Sequence, residues 1–412
     1  MNFELQRKID YYLGIPCCFL LTGIHRISKW LFAERGETLP QKILIIKLVE
    51  QGATVVAYQS IQRAVEIVGR ENVYLLVFSE NAEIIQFLNL LSEANTLKIR
   101  NTRLFPFIID TLRVIYQIRR LEIDTTVDFE FFSRATAILA FLTGAKRRIG
   151  LHRYQNEGSY RGDLLTHRLQ YNSYIHTGFM YYLLIEASLK PHHDLPALKS
   201  MDFEPNLVPA QFQPSEKVIQ RVKNRLNGCA GRTIENPIVL LNPNLKDMLP
   251  QRSWPPERFI ELGQTILNAF PQATLVITGP PSERMPAAQF TQTIHPSRAI
   301  NMAGRTSLEE LFALYTIADL LITSDSGPGH FSSLTSIETI VLFGPETPKL
   351  FGPCGEKAQV IWAGLACSPC INAFNQRRSP CMNNLCMQEI SSDSVFKKVA
   401  ECLEKKGSEK TG

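Results

Sequence analysis

No apolar run in this chain is long enough to cross a bilayer. The early stretch Ile15 to Ile24 is apolar apart from Thr22, and it falls well short of the roughly 20 residues a spanning helix needs. The start, Met-Asn-Phe-Glu-Leu, has no basic segment leading into an apolar core, so the expectation is a cytoplasmic, reduced protein. Nine cysteines, an odd count, suit that compartment better than a disulfide framework does. Strong charge of one sign is also missing. A net charge of +5 spread over many segments is too small to argue for nucleic acid, and it is compatible with an anionic lipid surface or an anionic substrate. A hydrophobic share of 45% and a charged share of 20% are those of a globular protein, with a disordered composition only at 406–412 within the tail, 401–412.

At 412 residues the chain is too long for one core. Residues 1–40 read as an N-terminal amphipathic helical segment. Arg7 and Lys8 precede its apolar run, His25, Arg26 and Lys29 follow it, and Trp30 and Phe32 stand at its edge. Such a segment can lie in a membrane interface or pack on the protein's own body. From Lys42 the pattern changes. Apolar runs at Lys42–Leu48, Val73–Phe78 and Thr126–Phe129 alternate with helical spacing at Val55–Val68, Ala82–Leu91 and Leu104–Arg120. That alternation predicts a parallel, doubly wound sheet over 41–205. Residues 151–200 are less regular, and read as an acceptor-facing loop or a solvated connector. The polar, proline-marked stretch near 205–235 is a domain junction. A second series, 206–400, has strands at Ile238–Leu241, Thr274–Ile277, Leu320–Thr323 and Thr339–Phe343, with helices at Pro256–Asn268 and Ser307–Ile317. The expected architecture is two Rossmann-like α/β domains facing each other across a cleft.

The second series is organised around Thr323-Ser324-Asp325-Ser326-Gly327-Pro328-Gly329-His330. A buried strand ends there and a helix, expected over Phe331–Thr339, begins. A turn of this kind at a strand's carboxyl end offers backbone donors to a nucleotide diphosphate. The carboxylate of Asp325 cannot favour a phosphate directly, so its expected role is to accept hydrogen bonds from ribose, sugar or loop backbone. His330 can donate to a phosphate, or be a satisfied structural histidine.

Four stretches taken together resemble glycosyltransferase family 9, the lipopolysaccharide heptosyltransferase family. They are Leu241-Asn242-Pro243-Asn244 followed by Arg252-Ser253-Trp254-Pro255-Pro256-Glu257-Arg258-Phe259, then Val276-Ile277-Thr278-Gly279-Pro280, then Met302-Ala303-Gly304-Arg305 to Leu311, and the 324–330 turn closed by Leu342-Phe343-Gly344-Pro345. The first half matches more loosely, through Ile43 to Leu48 with Gly52. The resemblance implies a GT-B fold and inverting sugar transfer from a nucleotide sugar, with no cofactor required. It puts the donor on Asn242, Pro243, Asn244, Gly279, Gly304, Ser324, Asp325, Ser326, Gly327, Pro328 and His330, and the acceptor beside Lys47, Gly52 and Thr54. Arg252 resembles the family's basic residue beside the diphosphate, where a guanidinium offsets charge on the leaving group. Trp254 reads as a packing residue at the start of its helix.

One departure matters. The family carries Gly-Asp in the first strand-to-helix turn, the Asp being the proposed base, whereas here Gly52 is followed by Ala53 and Thr54. Glu50 is the nearest carboxylate and becomes the candidate base. A second constellation, Cys367-Ser-Pro-Cys370 with Cys381 and Cys386 in the Cys-rich segment 367–386, can supply four thiolates to a structural zinc, or remain free thiols.

The functional expectation is transfer of heptose from ADP-heptose to a lipid-linked or lipopolysaccharide-type glycan, peripheral to the cytoplasmic face of the inner membrane. Two other classes compete with it. One is a catalytically silent nucleotide- or glycan-binding protein, motivated by Ala53. The other is a nucleotide-sugar epimerase, which leaves the acceptor apparatus and the basic N-terminal segment unexplained.

Overall fold

Six short runs in the first half are buried at nearly every position, as strands covered on both faces must be. They are β1 (Ile43–Ile46), β2 (Val73–Phe78), β3 (Thr96–Ile99), β4 (Thr125–Asp128), β5 (Arg147–Leu151) and β6 (His167–Leu169). All pair in parallel, in the order β3-β2-β1-β4-β5-β6. The computed structural model describes residues 3–31, 38–155, 157–191, 194–200, 204–245, 249–375 and 377–411. Phe32, expected at a helix edge, lies outside them. Two units result, 1–207 with 372–377 and 208–371 with 378–412.

In the first unit, α1 (Phe3–Tyr12) and α2 (Gly14–Leu31) precede the sheet. After β1 come α3 (Gln51–Val56) and α4 (Tyr58–Val68), after β2 α5 (Glu83–Leu88), after β3 α6 (Leu104–Arg120) and after β4 α7 (Arg134–Leu142). The series ends with α8 (Thr177–Ala187). The strand order reverses between β1 and β4, whose ends are level, Ile46 pairing with Asp128. Such a reversal opens a crevice at the carboxyl ends of the strands.

The second unit repeats the plan with β7 (Ile238–Asn242), β8 (Thr274–Ile277), β9 (Ala299–Asn301), β10 (Leu320–Ser324), β11 (Glu338–Phe343) and β12 (Ala358–Trp362), in the order β12-β11-β10-β7-β8-β9. Its helices are α9 (Glu216–Ala230), α10 (Pro256–Ala269), α11 (Arg284–Ile294), α12 (Leu308–Ile317), α13 (Gly327–Phe331), α14 (Pro348–Phe351), α15 (Leu385–Gln388) and α16 (Ser392–Thr411). Ser307 and Glu310 close a reciprocal capping box at the start of α12. The core joins β7, β8 and β10 to α10 and α16, with Trp254, Phe259 and Leu262 fully buried.

Three expectations are corrected. The helix expected over Phe331–Thr339 is instead the five-residue α13, because β11 already begins at Glu338. The helix expected from Val55 begins already at Gln51, so the turn after β1 ends at Glu50. Residues 151–200 are no mere connector, since they supply β6 and α8. The three residues of β6 carry no apolar run to betray it, and buried His167 spends its ring on a contact between Nε2 and the Lys190 carbonyl oxygen (2.9 Å).

Candidate active site

The second unit gathers its polar side chains where β7, β8, β10 and β11 end. Asn242 closes β7 level with Thr323 of β10. Its amide donates to the Thr278 carbonyl and hydroxyl (3.1 and 3.2 Å), and its oxygen accepts from the Thr323 hydroxyl (3.2 Å). Buried and fully engaged, Asn242 locks three strand ends together. Asn244, two residues on, takes a positive φ of 49°, and its buried Nδ2 finds no partner among the described residues. Gly279 and Gly304 meet through a backbone bond, the Gly304 N–H donating to the Gly279 carbonyl (2.9 Å). Gly304 has φ +65°, and a Cβ there would come within 2.6 Å of Pro281 Cα, so only glycine fits the close approach.

Beyond β10, Ser324 Oγ accepts from the Trp254 N–H (3.4 Å), and the Ser326 hydroxyl donates to the Ser324 carbonyl (3.0 Å). Pro328 lies in the first turn of α13, and His330 sits half-buried on it. Trp254 is a packing residue, fully buried, with Nε1–H donating to the Ile390 carbonyl (2.9 Å) and its ring 4.7 Å from Phe259.

The chemistry concentrates on three charged groups. Asp325 is buried, and Glu346 is completely so, three residues beyond the end of β11. Arg252 holds Nη1 3.6 Å from Glu346 Oε2 while its side chain stays 14% exposed. Burial, then the charge and hydrogen bond of Asp325, push Glu346 well above the usual carboxylate range, with Arg252 pulling the other way. Two buried carboxyls, Asp325 and Glu346, thus share one guanidinium. Arg252 is the one cation of this group, and it lies where ligands of open α/β sheets bind. Sequence reasoning missed Glu346; the quoted motif stopped at Pro345, one residue short of a carboxylate at a strand's carboxyl end.

The first unit has its own charged edge. Lys47 Nζ donates to Glu130 Oε1 (3.1 Å) and to the Val49 carbonyl (2.6 Å), and the Val49 N–H donates to the same carboxylate oxygen (3.0 Å). Burial pulls the Lys47 ammonium below the ordinary lysine range, Glu130 opposing. Asp128 is ion-paired to buried Arg161 and accepts from the Thr136 hydroxyl (2.8 Å) and the Glu130 N–H (3.0 Å). Gly52 and Thr54 are both buried inside α3, where the Thr54 hydroxyl donates to the Glu50 carbonyl (3.3 Å). The Thr54 hydroxyl thus bonds back one turn, to the residue that precedes α3.

Glu50 stands apart. It has φ 69°, a strained value for a non-glycine residue that structures retain where geometry is functional. Its carboxylate pairs with Arg377. That arginine arrives on residues 372–377, which rejoin the first unit and seat Phe374 against Tyr171 (5.1 Å) and Phe132 (6.0 Å). Side-chain exposure separates the three carboxylates of this edge: 39% for Glu50, 13% for Glu130 and 0% for Asp128.

Among the described residues no three His, Cys, Asp or Glu side chains converge as a metal needs. The four cysteines nevertheless share a neighbourhood. Burial, then the charges of Cys370, Cys381 and Cys367, push the Cys386 thiol up to about 11. Cys386 belongs to the core, Cys381 Sγ donates to the Asn383 carbonyl (3.0 Å), and Cys370 Sγ accepts from Ser379 (3.2 Å).

The model of glycosyltransferase family 9 (heptosyltransferase) matches residues 113–379, which contain all three members of the Arg252 group. The chain belongs to glycosyltransferase family 9. A curated relative, lipooligosaccharide heptosyltransferase 2 of Campylobacter jejuni, is 30% identical over 104 residues, 25% of this chain and 31% of that protein. The chain spans about a third of the length of the curated relatives it matches. Two solved structures share the fold. The ADP-heptose LPS heptosyltransferase II of Escherichia coli has a TM-score of 0.63 at 17% identity, covering 89% of this chain and 99% of that one. A family 9 glycosyltransferase of Veillonella parvula has 0.65 at 17%, covering 89% and 97%. Both agree with a GT-B chain built from two Rossmann-like domains.

Proposed function

We propose that this family 9 member transfers a sugar, heptose from ADP-heptose, to a lipid-linked or lipopolysaccharide-type glycan, with inversion and without a catalytic metal. The observation that supports it best is Arg252 with Glu346 and Asp325 at the strand ends of the second unit. In the reaction the acceptor hydroxyl gives its proton to Glu50 and its oxygen forms the new bond to the anomeric carbon. The bond from that carbon to the phosphate oxygen breaks, and the nucleoside diphosphate leaves with the electron pair. Arg252 offsets the charge that develops on the departing group. Asp325 accepts from donor hydroxyls, beside the turn of Ser326, Gly327 and Pro328.

The test is a thermal-shift screen against nucleotides and nucleotide sugars. A ligand that binds only the folded protein raises its midpoint in step with concentration over Kd. ADP and ADP-sugars are expected to stand out, and Asp325→Ala to abolish the shift. No shift from any nucleotide removes the donor site. The second reading, a silent binding protein, draws on the Glu50–Arg377 pair and the missing Gly-Asp. It predicts the same shifts with neither transfer nor donor hydrolysis.

The reading includes a peripheral position at the cytoplasmic face of the inner membrane. Among the described residues no helix is long and apolar enough to cross a membrane. What supports surface contact is α2, which packs through Gly14, Cys18 and Thr22 and leaves Phe19, Leu20, Ile24, Ile27 and Trp30 in solvent. A structural zinc on Cys367, Cys370, Cys381 and Cys386 also belongs to the reading, and requires the thiols to be drawn together and deprotonated. About one zinc per chain is expected in never-chelated protein by elemental analysis; its absence there removes the metal.

A further inference from the structure

A second exposed apolar face lies on α6, and nothing in the family signature accounts for it. Leu104, Phe105, Ile108, Ile109, Leu112 and Tyr116 all project into solvent, Phe105 being 73% exposed. Their spacing follows one side of a helix about 25 Å long. The opposite side, Asp110, Val114 and Ile118, is buried against the sheet. A soluble domain rarely leaves a continuous stripe of this size uncovered.

Charge selects the occupant. Arg103 precedes the helix, Arg113, Arg119 and Arg120 lie on it, and all four are exposed. The sole acid of α6, Asp110, is held in a two-pronged pair by Arg100 (2.7 and 2.8 Å), which keeps its carboxyl low, at about 2. An apolar stripe bordered by arginines, with its one carboxylate neutralised, complements an anionic lipid surface.

Position adds to this. The core on one face of the first sheet includes Val114 and Ile118 of α6 together with Leu139 and Ala140 of α7. Arg119 Nε donates to the Leu142 carbonyl at the end of α7 (3.0 Å). The outer side of α7 in turn carries α2, through Gly14 against Arg134 and Cys18 beside Ala137. In α1, Gln6 donates to Asn101 just before α6 (2.8 Å). The apolar faces of α2 and α6 therefore lie on the same side of the first unit. Within α2 there is no acidic residue, and Arg26 and Lys29 stand near Trp30, itself 85% exposed.

We propose that α6 is a membrane-docking helix that seats its apolar stripe in an anionic bilayer surface alongside α2. The inference deepens the peripheral placement proposed above, and it is independent of sugar transfer. The test is co-sedimentation of the full chain with vesicles of phosphatidylcholine alone or with 30% phosphatidylglycerol, without nucleotide or glycan (roughly the anionic fraction that draws basic helices). Binding is expected with phosphatidylglycerol only. Phe105→Ser with Leu112→Ser should weaken it on the order of tenfold or more, and Arg113→Glu with Arg120→Glu should remove its dependence on anionic lipid. Circular dichroism and the thermal midpoint of each variant must match the parent. Loss of binding on Trp30→Ser with Ile27→Ser, but none from the α6 changes, overturns α6 and leaves the α2 reading standing. If the α6 serines instead convert a dimer to a monomer by light scattering, without altering vesicle binding, the face belongs to a second copy of the chain and the proposal is wrong.

Discussion

Arg252→Ala is expected to lower kcat on the order of 10² to 10³-fold, the usual cost of removing one preorganised group that stabilises transition-state charge. The loss should fall on kcat far more than on nucleotide binding, because the leaving group's charge grows only as the bond breaks. Arg252→Lys should recover part of it, since the charge returns without the planar fork. Glu346→Gln is the informative partner. Glutamine copies a carboxyl that keeps its proton, so activity near neutral pH should survive. Because the folded-state pKa of Glu346 lies above its unfolded value, its contribution to stability is complete below the unfolded pKa, about 4.3, and is lost as pH rises through the folded pKa. Urea unfolding from pH 4 upward should therefore fall off more steeply in the parent than in Glu346→Gln. Equal slopes would mean that burial and Asp325 do not raise Glu346 in the folded chain, and the reading of it as a proton-retaining neighbour of Arg252 would fail.

Glu50→Gln is expected to cost about 10² to 10⁴ in kcat, the range for a positioned general base, with donor binding unchanged by thermal shift. Of the three carboxylates at the edge of the first sheet, Glu50 has by far the most solvent access. Asp128 and Glu130 hold their neighbours: removing either leaves a buried Arg161 or Lys47 without its counter-charge, which destabilises the domain. A Glu130→Gln variant with a lowered midpoint but parental kcat, beside a stable and slow Glu50→Gln, would separate the two roles. Full turnover in Glu50→Gln removes Glu50 from the chemistry and leaves the proton to another group.

The second half of the chain was the more legible from its residues. Its strands β7, β8, β10 and β11 are apolar runs closed by Asn242, Thr278, Ser324 and Gly344, and each run ends where a turn residue says it must. The resemblance extended this to family membership. Edge strands were harder to read. Ala299–Asn301 and Ala358–Trp362 offer apolar runs of only two and three residues, too short to mark a strand. The helix misjudged after Ser326 shows a different limit: Phe331 to Thr339 tolerates helical spacing, and only the pairing of Leu320 with Glu338 in the sheet settles that a strand begins there. The site was partly legible for the same reason. Asp325 sits in a motif, whereas Glu346 and Arg377 gain their meaning from what folds beside them. Asn242 and Thr54 are marked by position alone, and their bonds to Thr278, Thr323 and the Glu50 carbonyl appear only in the fold.

Glu50 and Arg377 are 327 positions apart, and the arginine rides on a six-residue detour flanked on both sides by the second unit. Any hybrid of two relatives spliced at the obvious seam near residue 207 would inherit the proposed base from one parent and that base's counter-ion from the other. Six residues, 372–377, would have to travel with the first half for such a chimera to keep Phe374 in its aromatic seat and Glu50 with its partner. A gene fragment ending at 207 likewise encodes a domain with an empty slot between Phe132 and Tyr171.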